Sequence, residues 1–228
     1  MVWGDLDLRL CCVIPDLSRN GRVWLAVEFV VIFAGAVVVY TVVHVPGGPL
    51  PALAVIALLA LAYLRRRPDF DRRDLWRASA VRSQWRTILP LWTVAAVVGV
   101  VAIAVVAPQR LFDLPRQHTL LWLAILVFYP LVSVYPQELV FRAFVLERYR
   151  PLFGSGRGIA AASAVAFGFV HVIFGNLLAV GLSLIGGWLF ARRYQRTRSL
   201  LATSIEHALY GQLVFTIGLG AYFYHGAR

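Results

Sequence analysis

The chain is 228 residues long, 60% hydrophobic and 14% charged, with a formal net charge of +11 and a mean hydropathy of +0.74. Soluble domains hold about 45–50% apolar and about 25% charged residues, so an ordinary water-soluble fold is excluded. The 18 Gly and 11 Pro are scattered without a period among 7 Trp, 9 Tyr and 14 Phe, which excludes a disordered or collagen-like chain and leaves a polytopic membrane protein.

Met1–Asn20 carries Asp5, Asp7, Arg9 and Asp16 and lacks a clean apolar core, so no cleavable signal peptide is expected. Cys11 and Cys12 are adjacent and too strained as neighbours for an ordinary disulfide. They read as buried or interfacial thiols, with membrane-proximal palmitoylation as the alternative.

A spanning helix needs about 20 mostly apolar residues. Val23–Val45, Pro49–Leu64, Thr87–Ala107, Thr119–Tyr135, Ile159–Phe174, Leu177–Ala191 and Ser199–Tyr224 qualify or nearly do. Pro46-Gly47-Gly48-Pro49 and Gly175-Asn176 read as tight turns between antiparallel helices. The expected fold is an all-α transmembrane bundle of about seven spans. It forms one integral membrane domain, 1–228, with N-terminal spans and a basic loop over 1–120 and a functional core over 121–224.

All 22 basic residues are Arg, and they alternate sharply between loops. Arg9, Arg19, Arg22, the eight from Arg65 to Arg86, Arg148, Arg150, Arg157, Arg192, Arg193, Arg196 and Arg198 fall on one side, 18 in all. Arg110, Arg116 and Arg228 fall on the other, and Arg142 lies within an apolar run. The positive-inside rule then puts the N-terminus in the cytoplasm and the C-terminus outside. The basic charge is topological and lipid-facing, so membrane lipids are expected partners and nucleic acid is not. Arg65–Arg86 interleaves its arginines with Phe70, Leu75, Trp76, Val81 and Trp85, the pattern of an amphipathic helix on the lipid surface or of a solvated loop.

Ionisable side chains within the bilayer cost about 2.5–3.5 kcal/mol each on insertion scales, which makes every one a functional candidate. They are Glu28, His44, Glu138, Arg142, His171, Glu206 and His207. Glu28 and His44 sit near the ends of the first span, where snorkelling gives them a structural role. In Tyr135-Pro136-Gln137-Glu138-Leu139-Val140-Phe141-Arg142, Pro136 suits a first helical turn and Glu138 its dipole. Arg142 follows four residues later on the same face, so the two pair and Glu138 stays ionised. A purely structural ion pair fits that spacing equally well.

A carboxylate with a histidine can activate water for attack on a carbonyl, and a second histidine with an amide can donate to the oxyanion. One carboxylate and two imidazoles can instead hold zinc or another divalent metal. A cation beside the carboxylate would compete with a metal, so no cofactor is expected and the metal is the alternative. His-Glu-x-x-His is absent, no Asp lies within a proposed span, and Gly154-Ser155-Gly156 is a loop. Metalloprotease, aspartyl and rhomboid types are thereby set aside.

Gln137-Glu138-x-x-x-Arg142, Phe167-x-x-x-His171 and His207, in that order, resemble the motifs of the CPBP family. This is the CAAX-protease and bacteriocin-processing group of glutamic-type intramembrane endopeptidases, also called the Abi family, and the likeness covers residues from about 125 to 220. It implies a carboxylate and His171 that activate water, His207 with an amide residue as oxyanion donors, and Arg142 positioning the glutamate. The family's leading Glu is Gln137 here, and its Asn or Asp four residues after the last His is Gly211, followed by Gln212. Glu138 or Glu206 would then take over as base, with Asn176 or Gln212 assisting. Gln-Glu, His171-Val172-Ile173-Phe174-Gly175-Asn176 and Glu206-His207 resemble a bacterial branch associated with processing C-terminal sorting tags.

The expectation is a multi-pass protease of the bacterial cytoplasmic (inner) membrane acting on a membrane-tethered protein or peptide. Glu138, Arg142, His171 and His207 are its catalytic candidates, supported by Gln137, Asn176, Glu206 and Gln212. A catalytically silent relative that binds a peptide or lipid, motivated by Gln137, and a proton-linked transporter are the alternatives. The absence of repeat symmetry speaks against the transporter.

Overall fold

A computed structural model describes residues 18–43 and 48–223, and among these every regular element is helical. Seven long segments follow the seven apolar runs: α1 Arg19–Val43, α2 Leu50–Arg66, α3 Ser79–Val106, α4 Thr119–Arg148, α5 Arg157–Phe174, α6 Leu177–Thr197 and α7 Leu200–Ile217. Four of them, α1, α3, α4 and α5, are long and apolar enough to cross a membrane. Of the other three, α2 has 17 residues, α6 ends in Arg192, Arg193 and Arg196, and α7 is diluted by Glu206, His207 and Gln212. Bare Val and Leu on the outer faces, among them Val97, Val98, Val101 and Val105 of α3, give the bundle the apolar surface a bilayer requires. Cys11, Cys12 and His44 lie outside the described residues.

The helix starts follow local chemistry. Ser18, Asn176 and Ser199 cap α1, α6 and α7, their side-chain oxygens accepting from the backbone N–H of Gly21, Ala179 and Ala202. The Gly175-Asn176 turn forms as expected, with Gly175 at φ 68° and the cap immediately after it. In the α5–α6 hairpin, a Cβ on Gly187 would stand 3.0 Å from Ala164 Cα, so the two backbones approach as only small residues allow.

Two expectations change. The fourth span does not stop near Tyr135 with a new helix at Pro136; α4 runs unbroken to Arg148. Proline lacks an N–H and crowds the preceding turn. The rod accommodates Pro130 and Pro136 by widening into π-turns at Pro130–Val134 and Leu139–Phe144. Glu138 therefore lies between two π-turns rather than at a helix N-terminus.

Nor does Arg65–Arg86 form a surface helix. Its last part is the start of α3, and a short 3₁₀ turn, Arg72–Leu75, precedes it. The buried Asp74 carboxylate is held by Arg77 at 2.6 Å and Arg198 at 2.7 Å. Tyr135 donates to Leu75 O at 3.3 Å, and its ring stacks on Trp76 at 4.8 Å. Partners on α4 and the α6–α7 turn fold this segment back onto the bundle, which an isolated amphipathic pattern does not reveal.

Glu28 holds its structural role through pairing rather than snorkelling. Arg148 donates to it from Nε and Nη2 at 3.0 and 2.6 Å, and Tyr149 donates at 2.9 Å. This joins α1 to the C-terminal end of α4 beside an aromatic core of Phe29, Phe33, Phe141 and Tyr149.

Candidate active site

Glu138 and Arg142 are both fully buried. Arg142 Nε stands 3.0 Å from Glu138 Oε2, while His207 Nδ1 donates to Glu138 Oε1 at 2.8 Å. A carboxylate only accepts when ionised, so the imidazole proton on this edge is on Nδ1. Arg142 Nη1 donates to Ser163 Oγ at 3.0 Å, and that hydroxyl donates to Phe141 O at 2.7 Å. The guanidinium also lies 4.7 Å above the Phe167 ring and 5.6 Å from Phe190. Two faces of π density thus help offset the burial of a full charge.

Phe167 is the hub. His171 packs against its edge at 4.7 Å and His207 at 5.4 Å, and Phe190 of α6 stacks flat on His207 at 4.7 Å and 17°. His171 Nδ1 donates to Phe167 O at 2.7 Å. A carbonyl oxygen cannot donate, so the neutral ring presents its lone pair at Nε2, which makes no hydrogen bond among the described residues. His171 sits where α5 tightens from α-helix into the 3₁₀ turn His171–Phe174, a change that turns the ring inward beside Phe174.

Glu138, Arg142, His171 and His207 therefore gather around one aromatic ring. The supporting candidates lie elsewhere. Both Glu206 oxygens are taken by Arg193, Nε and Nη2 each donating at 2.8 Å. Arg193 Nη1 goes on to Gln84 and, at 2.8 Å, to Thr87 of α3. Adjacent residues on a helix diverge by about 100°, which sends Glu206 away from His207. Asn176 is committed to its cap and donates to Phe174 O and Tyr222 O at 3.1 and 2.8 Å. Gln212 donates to Leu126 O at 2.9 Å. Gln137 donates to Ser133 Oγ at 2.8 Å and leaves its buried Oε1 without a partner. Among the described residues no three His, Cys, Asp or Glu side chains come close enough to hold a metal.

Sequence reasoning passed over Ser163, Phe190 and Arg193. Ser163 had a signal, since 163, 167 and 171 share one face of α5 at steps of four. Arg193 stood among the loop arginines and is only 6% exposed.

A helical membrane bundle with a buried carboxylate, a caged guanidinium and two histidines is the class that fold and site define. A family model described as Rce1-like, type II CAAX prenyl endopeptidase Rce1-like, matches residues 117–213, which include all four of these side chains. The resemblance to the CPBP family holds over that stretch, and the family is one of proteases. No curated protein and no solved structure matches the chain.

Proposed function

We propose that the chain is an intramembrane endopeptidase that cleaves a membrane-tethered protein or peptide, seated by seven spans in a bacterial inner membrane with its N-terminus in the cytoplasm. The observation that carries this reading is the gathering of Glu138, Arg142, His171 and His207 around Phe167, all within the stretch matched by a protease family.

His171 Nε2 takes a proton from water as the water oxygen attacks the scissile carbonyl carbon. His207, carrying protons on both nitrogens beside the Glu138 carboxylate, donates from Nε2 to the oxyanion that forms. Collapse of the tetrahedral intermediate breaks the C–N bond, and His171 returns its proton to the leaving amine. Glu138 acts through His207, whose ring it orients and whose charge it stabilises. Arg142 fixes the carboxylate from its other side. The sequence expectation paired Glu138 with His171; the 2.8 Å contact to His207 supports this different part instead. Glu206 serves the scaffold through Arg193, and no metal enters the reaction.

The test is cleavage, in proteoliposomes, of a quenched farnesylated peptide ending in a Cys-aliphatic-aliphatic-X sequence and of an unprenylated apolar transmembrane peptide. Wild type should cleave at least one, and Glu138→Gln and His171→Ala should not. Equal cleavage by all three overturns the assignment. The second reading, a silent peptide-binding relative, is favoured by Gln137, which occupies the leading position with an amide tied to Ser133. It predicts peptide binding without turnover.

A further inference from the structure

His207 has a neighbour that neither its motif nor the proposed mechanism uses. Its Nδ1 is held by Glu138, and its Nε2 faces the phenol oxygen of Tyr129, from α4, at 3.4 Å. The phenol stands there because residue 211 is glycine. A Cβ on Gly211 would lie 2.3 Å from Tyr129 Oη, 2.4 Å from its Cε1 and 2.6 Å from its Cζ. Any side chain at 211 would expel the ring. Phe215, one turn further along α7, packs edge-on against Tyr129 at 5.4 Å.

The 3.4 Å separation discriminates between two uses of this pair. As a mutual hydrogen bond it is long, since N–H···O contacts centre near about 2.9–3.0 Å. As two donors aimed at a third atom it is well suited. An anionic oxygen about 2.7–3.1 Å from each completes a nearly equilateral triangle, the arrangement that stabilises a tetrahedral intermediate. Tyr129 is half-buried as a whole residue, with its phenol oxygen packed against Gly211.

We propose that Tyr129, admitted beside His207 by Gly211, is the second oxyanion donor of the site, its O–H and His207 Nε2–H converging on the carbonyl oxygen. The inference rests on the peptidase reading. At rest His207 Nε2 and the phenol oxygen face each other at 3.4 Å. As water adds to the carbonyl carbon, both hydrogens turn onto the oxyanion; neither proton is transferred, so Tyr129 remains a neutral phenol throughout.

The experiment compares full-length wild type, Tyr129→Phe and Gly211→Ala in proteoliposomes on the two peptides named above. Tyr129→Phe keeps the ring and should lower kcat by about 10²–10³-fold, the usual effect of losing one such donor, with KM little changed. Gly211→Ala, which displaces the ring, should lower kcat in the same direction. A Tyr129→Phe variant with wild-type kcat overturns the inference while the peptidase reading stands. If wild type cleaves neither peptide, the peptidase reading falls and the oxyanion role with it. Nitrogen-15 spectra of histidine-labelled protein decide the geometry without substrate. Tyr129→Phe should move the His207 Nε2 resonance and leave that of His171 in place; no movement refutes the pairing.

Discussion

Two glutamates of this bundle are completely buried, each beside an arginine, and they are used differently. Glu206 and Arg193 meet fork to fork, with both carboxylate oxygens bonded and the remaining guanidinium nitrogen engaged by Gln84 and Thr87. Glu138 instead divides its oxygens between a histidine and an arginine. Its Oε2 and Arg142 Nε face each other as an ion pair at 3.0 Å, and Arg142 Nη2 has no hydrogen-bond partner among the described residues. A closed polar network rigidifies and specifies a fold, whereas incompletely satisfied groups in a dry site hold electrostatic potential that a substrate can draw on. The comparison teaches that burial beside an arginine does not make two carboxylates alike: Glu206 gives both oxygens to Arg193, whereas Glu138 keeps one for a histidine.

The sharpest way to break this contrast is to remove each charge without changing shape. Glu138→Gln should lower turnover per folded molecule by about 10³-fold or more, and by stranding the buried Arg142 charge it should also cost about 3–5 kcal/mol of stability. Unchanged turnover would make Glu138 as structural as Glu206. The reciprocal variant, Glu206→Gln, strands the Arg193 charge and should cost about 3–5 kcal/mol of stability, read from denaturant unfolding in detergent. Turnover per folded molecule should stay within a few-fold of wild type; a catalytic defect there would erase the distinction.

Smaller effects sharpen it. Ser163→Ala removes the acceptor of Arg142 Nη1 and should cost about 1–3 kcal/mol, since a buried donor is left unsatisfied. Partial loss of turnover should accompany it, because Arg142 then holds Glu138 less firmly. The smallest effect lies outside the membrane at Asp71. The backbone N–H of Arg73, followed by the charges of Arg77 and Arg73, holds its carboxyl below the ordinary value of 3.8. A lowered folded-state pKa contributes stability above the unfolded value, and that contribution is lost as pH falls through the folded one. Wild type should therefore be slightly more stable than Asp71→Asn near neutral pH, and the two unfolding curves should converge in acid. A gap that persists in acid would assign the difference to packing.

Much of the site was legible because helical spacing is local. Glu138 and Arg142 at i,i+4, and Phe167 and His171 at the same interval, share faces whatever the bundle does with them. The histidine acceptor Nε2 was not legible, because it depends on Nδ1 finding Phe167 O at the point where α5 tightens. The role of Glu206 was also closed to sequence reading. It lies beside His207 in the chain, but its partner Arg193 lies across the α6–α7 turn. The unbroken α4 was hidden for a further reason: proline normally marks a helix start, and only the π-turns show how this helix absorbs two of them.

The length, apolar fraction and arginine spacing determined by themselves that this is a helical membrane protein, and three ordered motifs pointed to the protease family, because transfer free energy and helical period act over a few residues. Tertiary structure alone decided which partners each buried carboxylate meets, and that Tyr129 fills the space beside Gly211. Such pairings join residues 13 to 78 positions apart, and no local periodicity sets the rotation of one helix about its axis relative to another.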